Sequence, residues 1–228
     1  MCGRYADFLT DQELADAFSI AMAADDDRLL PPSFNVAPTQ RVRVVRPSDA
    51  GLTLDVAAWG LVPSWAKDPS IGSRMINARL ETVAEKPSFR TAFAKRRCIV
   101  PASGYYEWQA GPDGKRPFYI HPADDAVLAF AGLLEAWRRS PDDDWLITCA
   151  ILTTAARGPM TEIHDRQPVM MRTDAWVAWL DTASTKDTLF AAADADAPEL
   201  AWHEVGKAVG NVRNNSPELT QAVTARPA

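Results

Sequence analysis

Residues 99–120 read IVPASGYYEWQAGPDGKRPFYI, and this stretch decides the predicted fold. Short runs of branched and aromatic residues at 99–100, 105–108 and 118–120 are typical of strands. The Gly111–Gly114 segment between the last two is a strong turn sequence. Similar strand-like runs occur at 42–45, 52–59, 127–134, 146–153 and 202–205. Many strands with few helices predict a single α+β domain.

Helical patterns are fewer than strand patterns. Thr10-Asp11-Gln12-Glu13 has the form of a capping box and predicts a helix that continues to about Met22. Residues 81–93 also have helical character, but Pro87 is expected to interrupt them. Two more short helices are predicted at 174–180 and 186–193. The domain is expected to cover residues 1–223, followed by a loose tail at 224–228.

Composition excludes several classes of protein. Of the 228 residues 47% are hydrophobic, which is enough for a sizeable core. No apolar run reaches the roughly 18 residues that a membrane span needs. The first residues lack the basic and apolar segments of a secretory signal, so we expect a cytoplasmic protein. Three cysteines without a Cys-x-x-Cys pair predict neither a disulfide framework nor a zinc centre, and we expect no metal or other cofactor.

The net charge of −6 argues against a nucleic-acid partner, but the charge is unevenly distributed. Residues 74–97 contain seven lysines and arginines against two glutamates. A basic face on an acidic body is compatible with focused phosphate binding. The alternative is that these residues form an ordinary solvated helix face.

The second residue offers distinctive chemistry. Cys2 is small enough for an aminopeptidase to remove Met1, which would leave a free α-amine and a thiol on adjacent carbons. Such an amine condenses with an aldehyde to an imine, and the thiol then closes a five-membered thiazolidine. An α-amine is neutral at pH 7 far more often than a lysine amine, so the reaction requires no large pKa shift. The alternative is that cysteine at this position is incidental.

Two segments have side chains suited to nucleic acid. The segment from Trp59 to Trp65 places two tryptophans around glycine and proline, where they could stack on bases or anchor a core loop. The core role suits Trp59 better than Trp65. Asn77 and Arg79 alternate with apolar residues, so both would share one face of an extended chain. There Asn77 could bind a sugar oxygen and Arg79 a phosphate, unless Arg79 forms a surface salt bridge with Glu81.

Two further residues could transfer protons. Glu107 lies among aromatic residues on an apolar strand, where partial burial would raise the pKa of its carboxyl. Pairing with an arginine is the alternative role. His164 lies in a polar turn close to Arg166, so it could act as a general acid or base with Arg166 as a phosphate ligand. Alternatively, His164 is incidental.

Taken together, these segments resemble the SRAP family of SOS response-associated peptidases, or abasic-site processing proteins. Six stretches in the family's order carry the resemblance: MCGRY at 1–5, FNVAPTQ at 34–40, WGLVPSW at 59–65, INARLET at 76–82, RRCIVPASGYYEW at 96–108 and IHDRQPV at 163–169. Gln167 departs from the family, which usually has methionine there. We expect this change to alter packing rather than chemistry.

The resemblance implies an α+β fold around a curved, barrel-like, mostly antiparallel sheet. It implies covalent cross-linking to abasic sites in single-stranded DNA during the DNA-damage response, with AP-lyase-like activity and self-removal of Met1 as associated activities. A monomer is the simplest expectation for one domain with a covalent mode of binding. By position, the residues that match the family's active site are Cys2, Asn77, Glu107 and His164. Those that match its DNA contacts are Arg4, Asn35, Pro38, Trp65, Arg79, Thr153 and Arg166. In these roles Glu107 would help open the closed sugar and His164 would protonate the sugar oxygen.

Other functions remain open at this point. A hydrolase with an N-terminal nucleophile, such as a glutamine amidotransferase, also begins Met-Cys-Gly, and its thiolate attacks an amide. Those enzymes share an Asn-Gly oxyanion element, whereas this chain contains no Asn-Gly dipeptide. The family's own name raises a peptidase, which we interpret as removal of Met1. A non-covalent binder of single-stranded DNA would use Arg79 and the tryptophans alone.

Overall fold

Twelve strands and four α-helices form the part of the chain that the computed structural model describes, residues 2–20, 30–124, 126–194 and 198–223. The strands are β1 (Tyr5–Asp7), β2 (Ser33–Val36), β3 (Arg41–Ser48), β4 (Gly51–Trp59), β5 (Asn77–Arg79), β6 (Arg97–Ala102), β7 (Gly104–Gly111), β8 (Gly114–Pro122), β9 (Leu128–Trp137), β10 (Leu146–Ala155), β11 (Arg166–Pro168) and β12 (Leu200–Glu204). The helices are α1 (Asp11–Phe18), α2 (Arg90–Lys95), α3 (Thr173–Leu180) and α4 (Lys186–Ala193).

Five of the strands close into a barrel in the order β10–β4–β3–β6–β9, with β9 pairing again to β10. Neighbouring strands in this ring are antiparallel except β4 and β10, which are parallel. The short strands β5 and β11 both pair with β10 near its end, so β10 connects the barrel to the loops around it. This arrangement confirms the predicted α+β fold with a barrel-like, mostly antiparallel sheet.

A second sheet lies outside the barrel, with the antiparallel order β12–β8–β7–β1–β2. Its β1 is held on both sides, since Tyr5 is in register with Val36 of β2 and with Tyr105 of β7. The sheet therefore fixes the path of the first residues of the chain. β7 and β8 form the hairpin that the Gly111–Gly114 turn predicted.

The barrel contributes to two large buried clusters of apolar side chains. One cluster packs barrel strands against all four α-helices and contains the fully buried Trp179. The other contains residues of both sheets, and in it Tyr5 meets the rings of Trp59 and Phe130 edge-on at 5.3 and 6.1 Å between centroids. Trp59 is fully buried and donates its indole N–H to the carbonyl of Ile76 at 2.9 Å, which confirms its core role.

Two helical predictions need correction. The capping box forms as predicted, but α1 ends at Phe18 rather than near Met22. Ser19 adopts a left-handed conformation (φ 53°) and its N–H closes onto the last carbonyls, which terminates the helix. Within 81–93 only the last residues are α-helical, in α2, because a residue that precedes a proline is disfavoured in the helical conformation.

Two other sequence-based predictions concern the ends of the chain and membranes. The predicted tail at 224–228 lies outside the described residues. In the described ranges, none of the helices has the length and apolar character needed to cross a membrane.

Candidate functional site

The site is built around the N-terminal residues that lead into β1. The N–H of Tyr106 donates to the carbonyl of Arg4 at 2.9 Å, so the pairing of β1 with β7 continues toward Cys2 and Glu107. The Cys2 side chain is fully buried, and burial raises the pKa of its thiol well above the usual range. The nearby Glu107 carboxylate raises this pKa further. The thiol is therefore protonated at neutral pH in this state of the protein.

Asn77 holds the same residue from the barrel side. Its side-chain amide donates to the backbone carbonyl of Cys2 at 2.8 Å. Asn77 begins β5, which is extended as the alternation predicted, and it is in register with Ile151 of β10. The barrel thus positions a donor against residue 2, although 75 residues separate the two along the chain.

Glu107 and His164 form the polar wall of the site. Glu107 is only 4% exposed, and burial raises the pKa of its carboxyl, as its apolar surroundings predicted. His164 follows the 3-10 helix Gly158–Glu162 and places its Nε2 3.9 Å from a Glu107 oxygen. These two groups are close enough to exchange a proton through a reacting molecule.

The other ring nitrogen of His164 has two neighbours. Nδ1 lies 3.0 Å from the backbone N–H of Arg166 and 2.8 Å from a carboxylate oxygen of Asp165. In the neutral ring Nδ1 accepts from Arg166, which leaves the proton on Nε2, facing Glu107.

Arg166 lies on β11 and is joined to β10 through its side chain. Its guanidinium donates to the carbonyl of Thr153 at 2.6 Å and to the Thr153 hydroxyl at 3.3 Å. It also forms a two-pronged ion pair with Glu81, at 2.7 and 3.0 Å. Thr153 is 1% exposed, so it supports Arg166 and presents almost no surface of its own.

The Arg79 side chain is exposed at the end of β5. Among the described residues it has neither an ion pair nor a side-chain hydrogen bond. The predicted alternative, a salt bridge from Arg79 to Glu81, is wrong. The alternative assumed a strand, in which residues two apart share a face, but β5 ends at Arg79 and the chain enters a 3-10 helix at Leu80.

Arg4 and Asn35 form a separate polar contact on the outer sheet. Arg4 donates to the Asn35 side-chain oxygen at 2.9 Å and to the carbonyl of Val209 at 2.7 Å. Asn35 is 2% exposed, and its amide donates to the carbonyls of Val209, Asn211 and Asn214. Asn35 therefore fixes the half-buried Arg4, and its own hydrogen-bonding groups are occupied.

The two remaining predicted DNA contacts lie in loops. Pro38 is half-buried in the turn that follows β2. Trp65 is 58% exposed, in a loop that is tied to β9 where the indole N–H of Trp137 donates to the carbonyl of Ala66 at 2.7 Å. Within the described part of the chain, neither side chain hydrogen-bonds to Cys2, Asn77, Glu107 or His164.

The predicted basic face of residues 74–97 is only partly a surface. Arg97 is 3% exposed and donates to four backbone carbonyls, those of Phe93, Ala94, Trp179 and Asp181. Arg96 pairs with Glu135 at 2.6 Å. These two arginines hold α2 and α3 to the barrel rather than facing solvent together, so they are removed from the set that could bind phosphate.

Sequence reasoning missed two partners of the site. Glu81, considered only as a partner of Arg79, binds Arg166 from 85 residues away. The buried Gln167 accepts from the N–H of Arg157 at 3.0 Å and so anchors the start of the turn that carries His164. An amide where the motif usually has an apolar residue was the signal for the second contact, and no local pattern indicated the first.

Sequence comparisons with known proteins match nearly the whole chain. The sequence profile of the family described as SOS response associated peptidase (SRAP) matches residues 1–212. The chain is similar to the abasic site processing protein YoqW of Bacillus subtilis, with 39% identity over 232 residues that cover 97% of this chain and 100% of that protein. It is also similar to the abasic site processing protein YedK of Escherichia coli, with 33% identity over 98% of this chain and 100% of that protein.

A solved structure agrees with the fold. The crystal structure of a protein from Bacteroides thetaiotaomicron superimposes with a TM-score of 0.88, covering 98% of this chain and 100% of that chain at 24% identity. At this level of identity the likeness bears on the fold alone. The profile and the relatives bear on ancestry as well, and they show that this chain belongs to the SOS response associated peptidase (SRAP) family.

Proposed function

We propose that this protein processes abasic sites in single-stranded DNA, by covalent capture through Cys2 after removal of Met1. The names of its relatives support the abasic site as the target, since YoqW and YedK are both abasic site processing proteins. The observation that carries the chemistry is a chain of contacts that begins at residue 2. Asn77 donates to its carbonyl, the Glu107 carboxylate lies near its thiol, and His164 lies 3.9 Å from Glu107.

The proposed reaction begins at nitrogen. Removal of Met1 converts the Cys2 amide nitrogen into a primary amine, whose lone pair attacks the aldehyde carbon C1′ of the opened sugar. Loss of one water gives an imine, and the Cys2 sulfur then adds to the imine carbon while its proton moves to nitrogen. No oxidant or reductant is needed. The raised pKa of the buried thiol favours this order, because a protonated thiol is a poor first nucleophile.

Glu107 and His164 would supply the proton transfers. An abasic sugar is mostly a closed hemiacetal, so its ring must open before the amine can react. A buried carboxyl with a raised pKa is suited to take that proton and to return one to the departing hydroxyl. His164, with Nε2 facing Glu107, would protonate the ring oxygen of the sugar.

The arginines and the loop residues would hold the DNA strand. Arg79 is exposed and Arg166 lies beside His164, so both could bind phosphates that flank the lesion. Trp65 offers an open indole face for stacking on an unpaired base. We assign Asn35 and Thr153 supporting roles, as the residues that fix Arg4 and Arg166, and Pro38 a position beside the bound DNA strand.

Electrophoresis under denaturing conditions tests the proposal. Wild-type protein should form a heat-stable adduct with an abasic oligonucleotide and none with an intact one. Cys2→Ala should form no adduct with either oligonucleotide. A non-covalent binder predicts that the two proteins behave alike and release both oligonucleotides. A glutamine amidotransferase predicts hydrolysis of glutamine without DNA.

Two associated activities belong to the same proposal. Strand cleavage at the abasic site, as by a lyase, could follow from the imine before the thiol adds. Self-removal of Met1 would make the peptidase activity an event of maturation. Incubation of purified unprocessed protein without other enzymes tests the second, since only self-processing would then expose Cys2.

A further inference from the structure

Glu81 and Arg166 form a contact that the proposed capture chemistry does not use. Both carboxylate oxygens accept from the two terminal nitrogens of the guanidinium, at 2.7 and 3.0 Å. A guanidinium recognises carboxylate and phosphate with the same two-pronged geometry. The edge of Arg166 that would hold a phosphate is therefore filled by a side chain of the same chain.

The two partners are held unequally. Arg166 is fixed by its bonds to Thr153, and its side chain is 14% exposed. The Glu81 side chain is 47% exposed, and its carboxylate interacts with the backbone N–H groups of Glu81 and Ala155 as well as with Arg166. Because Glu81 is the more exposed partner of the ion pair, it can turn into solvent while Arg166 stays in place. The Nε–H of Arg166 is buried and has no acceptor among the described residues, so the guanidinium retains a donor to offer.

The neighbouring residue supports a phosphate at this position. Arg79 lies two residues before Glu81, and it is exposed and has no ion pair within the described ranges. Arg79 is also in register with Thr153 of β10, the residue that holds Arg166, so a DNA strand bound at Arg79 would pass close to the Glu81–Arg166 pair. Two like charges cannot share one guanidinium edge without repulsion. Either the phosphate does not bind Arg166, or the Glu81 carboxylate moves away from the guanidinium.

We propose that Glu81 occupies the phosphate position of Arg166 in the DNA-free protein and that a backbone phosphate displaces it. This inference rests on the proposed function, in which Arg166 contacts DNA. Displacement costs an ion pair for every strand that binds, damaged or intact. Glu81 therefore acts as a specificity-determining residue: it weakens the hold on intact strands, so that lasting attachment depends on the covalent bond to a lesion.

Binding of intact DNA tests this inference apart from covalent capture. The probe is a fluorescent oligothymidine without a lesion, and its anisotropy is followed with the full chain at several salt concentrations. Glu81→Gln should bind about 2- to 5-fold more tightly than wild type at low salt. Its logarithmic salt slope should stay close to that of wild type, because Arg166 contacts the same phosphate in both proteins once Glu81 has been displaced.

Glu85→Gln is the matched control, since it removes the same charge four residues away from an exposed side chain outside the described ion pairs. If Glu81→Gln and Glu85→Gln gain the same affinity for oligothymidine, the proposal is overturned, because the change in net charge alone would then explain the gain. Glu81→Asp keeps the charge but shortens the reach, so it should shift binding in the same direction by a smaller factor. Unchanged binding in both Glu81 variants would also overturn it.

Arg166→Ala separates the two levels of inference. It should weaken binding, and Glu81→Gln should add nothing when the two are combined. If Arg166→Ala binds oligothymidine like wild type, the phosphate role given to Arg166 under the proposed function fails. If Arg166→Ala binds weakly while Glu81→Gln gains nothing over its control, only the displacement by phosphate fails. Adduct formation by wild type on an abasic oligonucleotide is an independent readout of capture.

Discussion

The side-chain amide of Asn77 donates a hydrogen bond to the backbone carbonyl of Cys2 at 2.8 Å. This contact joins the barrel, through β5, to the segment that the outer sheet delivers through β1. Residue 2 is therefore held from two sides by rigid elements. In a reaction at the nitrogen of that residue, such positioning lowers the entropic cost of bringing amine and aldehyde together.

Asn77→Ala should slow capture because residue 2 loses its anchor on the barrel side. A hydrogen bond of this kind contributes about 1 kcal/mol, which corresponds to roughly a 5- to 10-fold lower rate. The measurement is the single-turnover rate of adduct formation with an abasic oligonucleotide. Asn77→Asp should be at least as slow, since an ionised carboxylate cannot donate. A rate within about 2-fold of wild type in both variants would argue against the contact's role.

Glu107→Gln should change the pH dependence of stability. Burial raises the pKa of Glu107 in the folded protein, so the folded state binds more protons than the unfolded state between the ordinary and the raised pKa. Stability is therefore lost as pH rises through that window. Urea unfolding at pH 4 and pH 8 should show Glu107→Gln gaining on wild type toward pH 8. A Glu107→Gln variant that instead loses stability relative to wild type between pH 4 and pH 8 would contradict the raised pKa.

The same variant is expected to be slow in capture. A group that transfers protons in the transition state typically contributes about 10²- to 10⁴-fold to the rate, so Glu107→Gln should lose at least about 100-fold. Glu204→Gln, at a partly exposed carboxylate on β12, is the control and should retain the wild-type rate.

Arg79→Ala should weaken binding of single-stranded DNA and make it less sensitive to salt. Loss of one phosphate contact lowers the logarithmic salt slope by about 0.7 for a single strand. Arg90→Ala, which removes a charge from the same segment at the exposed start of α2, supplies the baseline. If the two variants have the same logarithmic salt slope, Arg79 affects DNA binding only through the net charge of the protein.

Arg97→Ala should destabilise the fold rather than impair DNA binding directly. Its guanidinium donates to four backbone carbonyls in the interior, and their loss as a set should cost about 3 kcal/mol or more. The free energy of unfolding in urea measures this loss. Wild-type stability combined with weakened DNA binding would instead place Arg97 at a binding surface.

Arg97 also shows where sequence reasoning stops. Runs of branched and aromatic residues predicted the long strands and the fold class, because the preference of these residues for strands can be read from local sequence. The basic run at 74–97 suggested one face, yet its arginines separate into buried anchors and exposed cations. Charge type is visible in the sequence, whereas the backbone carbonyls that satisfy a buried guanidinium come from distant elements.

The candidate site follows the same division. The environment of Glu107 could be predicted, because its aromatic neighbours on one strand already imply burial. The partner of Glu81 could not, since the end of β5 at Arg79 redirects the side chain toward β11. Short strands such as β1 and β5 lack a periodic pattern of their own and depend on their neighbours for pairing.

The central claim is that residue 2 reacts through a free amine and its own thiol. Intact mass spectrometry of the purified chain, before and after incubation with an abasic oligonucleotide, tests it most directly. The account predicts a chain lighter by one methionine residue, and then a species equal to protein plus oligonucleotide minus one water. A chain that retains Met1 and yet forms the same adduct would contradict it.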